Sequence, residues 1–573
     1  MSDLVFVPHA GNAADFLIVT EDTPPLRARM VALGATVRER PGHTVYSWRF
    51  PAGDVLFGGN AVLDGRFVIG PCALATPPGS VGAGTCCVIE LGPGETRIRT
   101  DPFGLQPLFH GANLVTNRLH LAALAVGKLD TTAALAIVHS DNTFCEQFGV
   151  VRTPVAGVSL LLVHERLSVG DRVRVESEPL DDLYELRSPA EYQKLIARGA
   201  EEVLESVRAL LDAGCHVSSA ITGGRDSRVI LGALVALGRV RDVSFRTQDI
   251  GRDLDLGTGL VNRYGGSYQS NLEQDYLTYT LEERDVGRRS QIFGAYHLLK
   301  PAHLAKVIAA PRVHHIAMNG GCGELYREFY QKAFPPEFSS SPYTREGVSR
   351  MLREHGYWSS ICQSHFDRTA PRYLETFDSL PGRTISEKLD SHYLNFRNRF
   401  HFGASATLPI ARHDIHPMAS PSLLAAARGL PASEKATGRV LFDVTRALCE
   451  ELPYLAYDNP WTTDFTLSPY HVPSRYDGKT IEVVPARDLS RPAPRTTRVE
   501  KPRAEPFDFR DYSSARAMAL LKELQCGGGP FAYLANEALE RRLRWAYEKH
   551  KRCLSTWCSR LQAFRDYDET LSA

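Results

Sequence analysis

Two hydrophobic textures divide the chain. Up to about residue 180, short apolar stretches at 44–50, 66–69, 86–91 and 159–163 are separated by Gly, Pro and Asp turns, a pattern that predicts a strand-rich sheet domain. At Ser188 the texture changes. Ser188-Pro189-Ala190-Glu191 combines an N-cap, a helix-first proline and a capping-box glutamate. Tyr192, Leu195, Ile196, Val203, Val207, Leu210 and Leu211 follow at helical spacing. Beyond them the pattern predicts strand 216–221, helix 227–237, strand 243–247, helix 253–264 and a further short strand. Strand and helix in alternation predict a parallel, doubly wound sheet. Residues 289–310 and 380–450 read as mostly helical, 484–508 as a Pro/Arg-rich linker or lid, and 510–565 as two or three helices. No internal repeat is visible.

The 573 residues are 43% hydrophobic and 23% charged, with 66 Lys+Arg against 66 Asp+Glu. Such a chain is long enough for more than one domain, and zero formal charge removes any global attraction to nucleic acid or an anionic membrane. No basic segment leads into an apolar one at the N-terminus, and no apolar run reaches the roughly 18 to 20 residues of a membrane span. The expectation is a soluble, cytoplasmic protein whose partners are small-molecule or peptide substrates. A partner protein or a homo-oligomer stays open. The 11 cysteines include no CxxC pair and no Cys/His cluster at zinc spacing, so reduced thiols are expected.

The sharpest local signal is SSAITGGRDSRVILGALVALG, residues 218–238. An apolar strand runs into Thr222-Gly223-Gly224-Arg225-Asp226-Ser227 and directly on into a helix. Two glycines let the backbone approach a ligand closely, the helix N-terminus points at the same spot, and Thr222 and Ser227 add hydroxyls. An acid inside an anion-seeking loop makes sense when a cation accompanies the anion. Asp226 is therefore read as a magnesium ligand bridging to the phosphates of a nucleoside triphosphate. The plainer alternative is a tight turn in which Asp226 is a first-turn helix acid, worth a few tenths to about one kcal/mol.

This loop resembles the SGG-x-DS pyrophosphate loop of the asparagine synthetase-like family, with Thr222 in place of the leading serine. The strand at 243–247, Asp253, and the helix ending in Tyr264-Gly265-Gly266 are similar to the family's next strand, acidic position and helix. The run 314–318 leads into Asn319-Gly320-Gly321-Cys322-Gly323-Glu324-Leu325, which resembles its GEGADEL-type loop. Gly323 stands where that loop has aspartate, and Glu324 is the remaining carboxylate. Asp101-Pro102-Phe103-Gly104-Leu105-Gln106-Pro107-Leu108-Phe109 resembles a segment of the family's glutaminase domain. Position 2 is Ser2, and the Cys-Gly-Ile start of an active glutaminase is missing. The resemblance, which spans about residues 40–470, thus points to the glutaminase-inactive branch that holds β-lactam synthetase, carbapenam synthetase and the lasso peptide cyclases.

What the resemblance implies is an α/β chain. An Ntn-like β-rich sandwich, a degenerate glutaminase, would occupy 1–180. A doubly wound ATP-pyrophosphatase (synthetase) domain with a helical C-terminal part would occupy 188–475, and a helical extension 510–573. The implied activity is ATP-dependent, AMP- and pyrophosphate-forming ligation. A carboxylate is adenylated and an amine attacks it, making an amide or lactam bond without glutamine hydrolysis, in natural-product or peptide macrolactam biosynthesis. A catalytically degenerate nucleotide-binding scaffold or partner protein of the same fold is the alternative. ATP and Mg2+ are the implied cofactors. Thr222, Gly223, Gly224, Asp226, Ser227, Arg246 and Thr247 would hold ATP and pyrophosphate, Asp226 and Glu324 the metal, and Arg228 would add charge.

Residues 403–424 resemble a further family segment that places His413 at a glutamate, making it the candidate base. A polar loop with structural hydrogen bonds is an equal reading. Lys479 and Arg475 are candidates for a lysine that relatives use in adenylation. Arg327 with Tyr326 and Tyr330 stands where relatives contact substrate, or else begins an amphipathic helix. The basic helix with Trp545 and Trp557 grips a peptide or nucleic acid, or is a solvated face with aromatic anchors.

Overall fold

The computed structural model describes residues 15–143, 149–178, 183–247, 252–268, 315–330, 334, 338, 341–354, 363–403, 412–484, 509–527 and 561. They form a mixed α/β structure with three sheets. The first is antiparallel, in the order Ser159–Leu160, Phe109–His110, Leu114–Thr116, Asp15–Val19, His43–Trp48, Thr36–Arg40. The second, also antiparallel, runs Val173–Ser177, Glu165–Val169, Thr96–Thr100, Val81–Leu91, Val55–Leu63, Arg66–Ile69, with Cys72–Leu74 paired to Val55–Leu63 as well.

Alternation along the strands decides the layers. Phe16, Ile18, Val45, Leu56, Cys87 and Ile89 share one apolar core, so the two sheets face each other. Leu17, Val19, Tyr46 and Trp48 turn the other way, into the core that continues through the helices. Asp101 of the Asp-Pro-Phe-Gly segment knots its own turn: its carboxylate accepts from the amides of Phe103, Leu105 and Gln106 at 3.1, 2.9 and 3.0 Å. Arg399 reaches back from the helical part, and its guanidinium donates to the Leu161 carbonyl at 2.6 Å. A buried arginine across this junction ties the antiparallel part to the rest.

The third sheet is wholly parallel, in the order Ser267–Tyr268, Ser244–Arg246, His216–Ala220, His315–Met318, Arg412–Ile415. Its strands alternate with the helices Pro189–Leu211, Asp226–Ala236 and Asp253–Arg263, as the pattern predicts. The capping box is present: the Ser188 hydroxyl accepts from Glu191 N–H at 3.3 Å, and the Glu191 carboxylate accepts from Ser188 N–H at 3.0 Å. As the pattern predicts, the described part of 380–450 is mostly helical. One short strand interrupts it: Arg412–Ile415 pairs with His315–Met318 and extends the sheet. A four-residue strand takes its identity from a partner nearly 100 residues away, which local periodicity does not register. Farther along, the helices Ala432–Ala436 and Arg439–Leu448 are separated at Gly438.

Residue Ser2, the stretch 289–310, 485–508, Trp545 and Trp557 lie outside the described residues; the C-terminal extension is described as one helix, Phe509–Gly527. Among the described residues no helix is long and apolar enough to cross a membrane, and the described cysteines are free thiols.

Candidate functional site

A parallel sheet presents its loops, and any ligand crevice, beyond the carboxyl ends of its strands. Here the loops after His216–Ala220 and His315–Met318, adjacent strands, lie against each other. The first is shaped by its own polar groups. Thr222 N–H donates to the Ser227 hydroxyl at 3.1 Å, Gly224 N–H to the Thr222 hydroxyl at 3.1 Å, and Gly223 N–H to the Asp253 carboxylate at 2.8 Å. Asp458 N–H in turn donates to the Gly223 carbonyl at 3.0 Å. These bonds hold the turn, so the amides of Thr222, Gly223 and Gly224 serve the loop itself rather than an anion. The donors left facing a ligand are those at the start of helix Asp226–Ala236, which carries no side-chain cap. An uncapped helix start, with its positive dipole end, is suited to an anion.

The second loop closes on the first. A Cβ at Gly320 would lie 2.9 Å from the Asp226 Cβ, and a Cβ at Gly323 would land on the Asp226 carboxylate. Only glycine permits this approach, which explains physically why Gly323 cannot be an aspartate in this arrangement. Cys322 between them has φ 71°, a left-handed conformation unusual for a side-chain-bearing residue. The result is a cluster of Asp226, Glu324 and Arg327. Arg327 Nη2 is 3.1 Å from Asp226 Oδ2 and 4.0 Å from Glu324 Oε1. Asp226 Oδ1 and Glu324 Oε2 are buried and have no hydrogen-bond partner. Burial, then the Glu324 charge, raise the Asp226 pKa to about 6, against Arg327 and Arg225, which lower it.

The two orphaned oxygens fit a hard divalent cation. Among the described residues no three His, Cys, Asp or Glu side chains are grouped to hold a metal alone. Magnesium needs less from the protein, because it is commonly held by one or two carboxylates with phosphate and water oxygens completing the shell. On the neighbouring strand Arg246 uses its carbonyl to accept from Ile221 N–H at 2.9 Å, and the buried Thr247 hydroxyl has no partner. Thr247 is thus a second unspent polar group at the strand ends.

Two sequence-derived assignments are corrected by placement. Arg228 is fully buried. Its guanidinium donates to the Leu455 carbonyl at 2.9 Å and to the Ala456 carbonyl, and sits 3.5 Å over the Tyr457 ring. It clamps the segment that covers the Thr222–Ser227 turn instead of offering a free charge. His413 lies in the strand Arg412–Ile415 opposite Ile316, with Nδ1 3.1 Å from Asn60 Nδ2 and its ring beside Phe67. It belongs to the junction with the antiparallel sheets. Replacing His413 by leucine is expected to cost about 1–3 kcal/mol by leaving Asn60 short of a partner, measured as a urea midpoint. Nucleotide binding in that variant is expected to equal wild type.

Strand alternation sends the neighbours of His413 to the other face. Asn319 donates to Asp414 Oδ1 at 2.8 Å, and the His416 ring lies against Phe402 at 4.8 Å, where a Cβ on Gly321 would strike it. Burial lowers the His416 pKa, so the imidazole that touches this loop is neutral near pH 7. The signal that would have found His416 instead of His413 is the strand itself. Tyr326 and Tyr330 are core residues, each almost fully buried. Arg475 pairs with Glu450 at 3.4 Å, and Lys479 lines a separate cavity. No protein-family model and no curated protein matches this chain.

Proposed function

We propose that this chain binds magnesium-ATP at the carboxyl ends of its parallel sheet and uses it as an AMP- and pyrophosphate-forming ligase. It would join a carboxylate to an amine as an amide or lactam without glutamine, as in the glutaminase-inactive asparagine synthetase-like branch. In this reading the paired antiparallel sheets are the degenerate, Ntn-like glutaminase part, the parallel sheet is the synthetase part, and the protein works in the cytoplasm on a small-molecule or peptide substrate.

The observation that carries the proposal is the meeting of Asp226 and Glu324 from two separate loops, each with one unspent oxygen, beside an uncapped helix start. Mg2+ held there would neutralise charge on the triphosphate. The uncapped amides bind phosphate oxygens, Arg327 balances the two carboxylates, and Thr247 supplies a hydroxyl on the adjacent strand. The second reading, a nucleotide-binding scaffold, is favoured by a specific observation: His413 is turned away into the junction, which removes the assigned base.

Pyrophosphate release on supplying a carboxylate and an amine, strictly dependent on ATP, supports the ligase. Nucleotide binding without turnover over a broad carboxylate screen supports the scaffold. The pH dependence has a definite sign. Asp226 must be ionised to hold a cation, and its pKa is raised to about 6. Affinity for magnesium-ATP is therefore expected to be level above about pH 7 and to fall as pH drops through 6, approaching about tenfold per pH unit below. Calorimetric titration between pH 5 and 8 measures this, and a flat profile would remove Asp226 from the binding site.

A further inference from the structure

Away from the paired carboxylates, a cavity of about 420 Å³ lies among the segments 453–466 and 477–482. Its volume falls within the range of small-molecule sites. The walls are aromatic. Phe442 stacks on Phe465 at 4.2 Å, and Trp461 meets Phe465 and Tyr457 edge-on at 5.1 and 5.4 Å. The Arg225 guanidinium covers the Trp461 ring at 3.8 Å, so this cavity shares a wall with the phosphate loop.

The charges on the rim are unequally committed. Asp464 is spent on Thr466, accepting from its amide at 3.0 Å and its hydroxyl at 2.7 Å. Asp477 accepts from the Tyr454 hydroxyl at 2.7 Å and Ser474 N–H at 2.8 Å, and faces His471 at 2.9 Å. Both carboxylates are held below their usual pKa, Asp464 mainly by the Thr466 hydroxyl and amide, and Asp477 by its donors and His471. Arg252 and Lys479 also line the cavity, both are exposed, and among the described residues neither makes an ion pair. Glu482 is the one remaining acid on the lining. The uncommitted charge is therefore two cations against one anion, at the mouth of an aromatic box.

We infer that this cavity is a second ligand site, taking a small molecule with a flat aromatic body and an anionic group. The ring lies against Trp461, the half-buried ring of the wall, which Tyr457 and Phe465 hold in place from behind, and the anion meets Arg252 and Lys479. The inference goes beyond nucleotide binding at the loop and stands without it. An aromatic carboxylate and a nucleoside monophosphate share this chemistry.

Calorimetric titration of the full chain without magnesium, using indole-3-acetate, AMP, indole and acetate as probes, tests it. Saturable binding of indole-3-acetate or AMP at least tenfold tighter than indole or acetate supports the site, and whichever of the two binds tighter identifies the source. Lys479→Glu and Arg252→Glu are each expected to weaken that binding at least fivefold with unchanged thermal melts, because both side chains are exposed. Asp226→Asn is expected to leave it unaltered, which separates failure here from failure at the phosphate loop. No binding by any probe, equal binding of indole and indole-3-acetate, or binding untouched in both charge-reversal variants would overturn the inference.

Discussion

Replacing Asp226 by asparagine is expected to abolish the magnesium-dependent stabilisation of the protein by ATP. At ATP about 100 times its dissociation constant, wild type gains about 2.7 kcal/mol of stability from a bound ligand. The variant is expected to gain almost none, because asparagine keeps the shape but loses the charge that holds a divalent cation. The fold itself is not expected to suffer. The folded carboxylate has a pKa raised to about 6 from 3.8, so its stability contribution is complete below the unfolded pKa and is lost as pH rises through 6. At pH 8 the ionised Asp226 is thus a burden on the empty protein, and the variant should melt no lower than wild type. A stabilised apo protein that has lost its ATP response is the signature of a site kept for function at some cost in stability. Equal loss of melting temperature and ATP response would assign Asp226 a structural role.

The largest loss of stability is expected from Arg228→Leu, about 2–4 kcal/mol. Two backbone carbonyls, of Leu455 and Ala456, lose their donor, and the guanidinium stacked on Tyr457 is gone. Arg228→Lys should recover only part, since an ammonium lacks the planar fork that serves two carbonyls and a ring together. The consequence extends to the site. Asp458, three residues beyond Leu455, donates its N–H to the Gly223 carbonyl, so a loosened segment should weaken magnesium-ATP binding secondarily. Urea denaturation followed by nucleotide titration measures both effects. An unchanged urea midpoint with lost ATP binding would return Arg228 to the binding site.

The parts of the fold legible beforehand are those decided by neighbours in the chain. The capping box at Ser188, the helix that starts at Asp226 and the helix from Asp253 each depend on a few consecutive residues, and each was legible in the sequence. Asp226 was legible in the sequence as an acid in a glycine-rich, strand-to-helix turn, and Glu324 only through the resemblance of its loop to the GEGADEL type; that the two come together is a tertiary result. The roles of Arg228 and His413 were not legible. Both sit in polar-looking contexts, and their burial comes from the Leu455–Tyr457 segment and from Asn60 and Phe67, more than 200 residues away.

By itself, then, the amino-acid order determined the alternation of strand and helix after Ser188, the strand-rich texture before it, and the composition of the Thr222–Ser227 turn. These rest on periodicity, caps and turn residues whose energies are local. Only the tertiary structure decided which carboxylates meet, that Gly320 and Gly323 let the two loops touch, and which histidine lies against Gly321. Those outcomes depend on pairing His315–Met318 with both His216–Ala220 and Arg412–Ile415. Strand register between segments about 100 residues apart is set by burial of whole faces, and a shift of one residue would have exchanged His413 for Asp414.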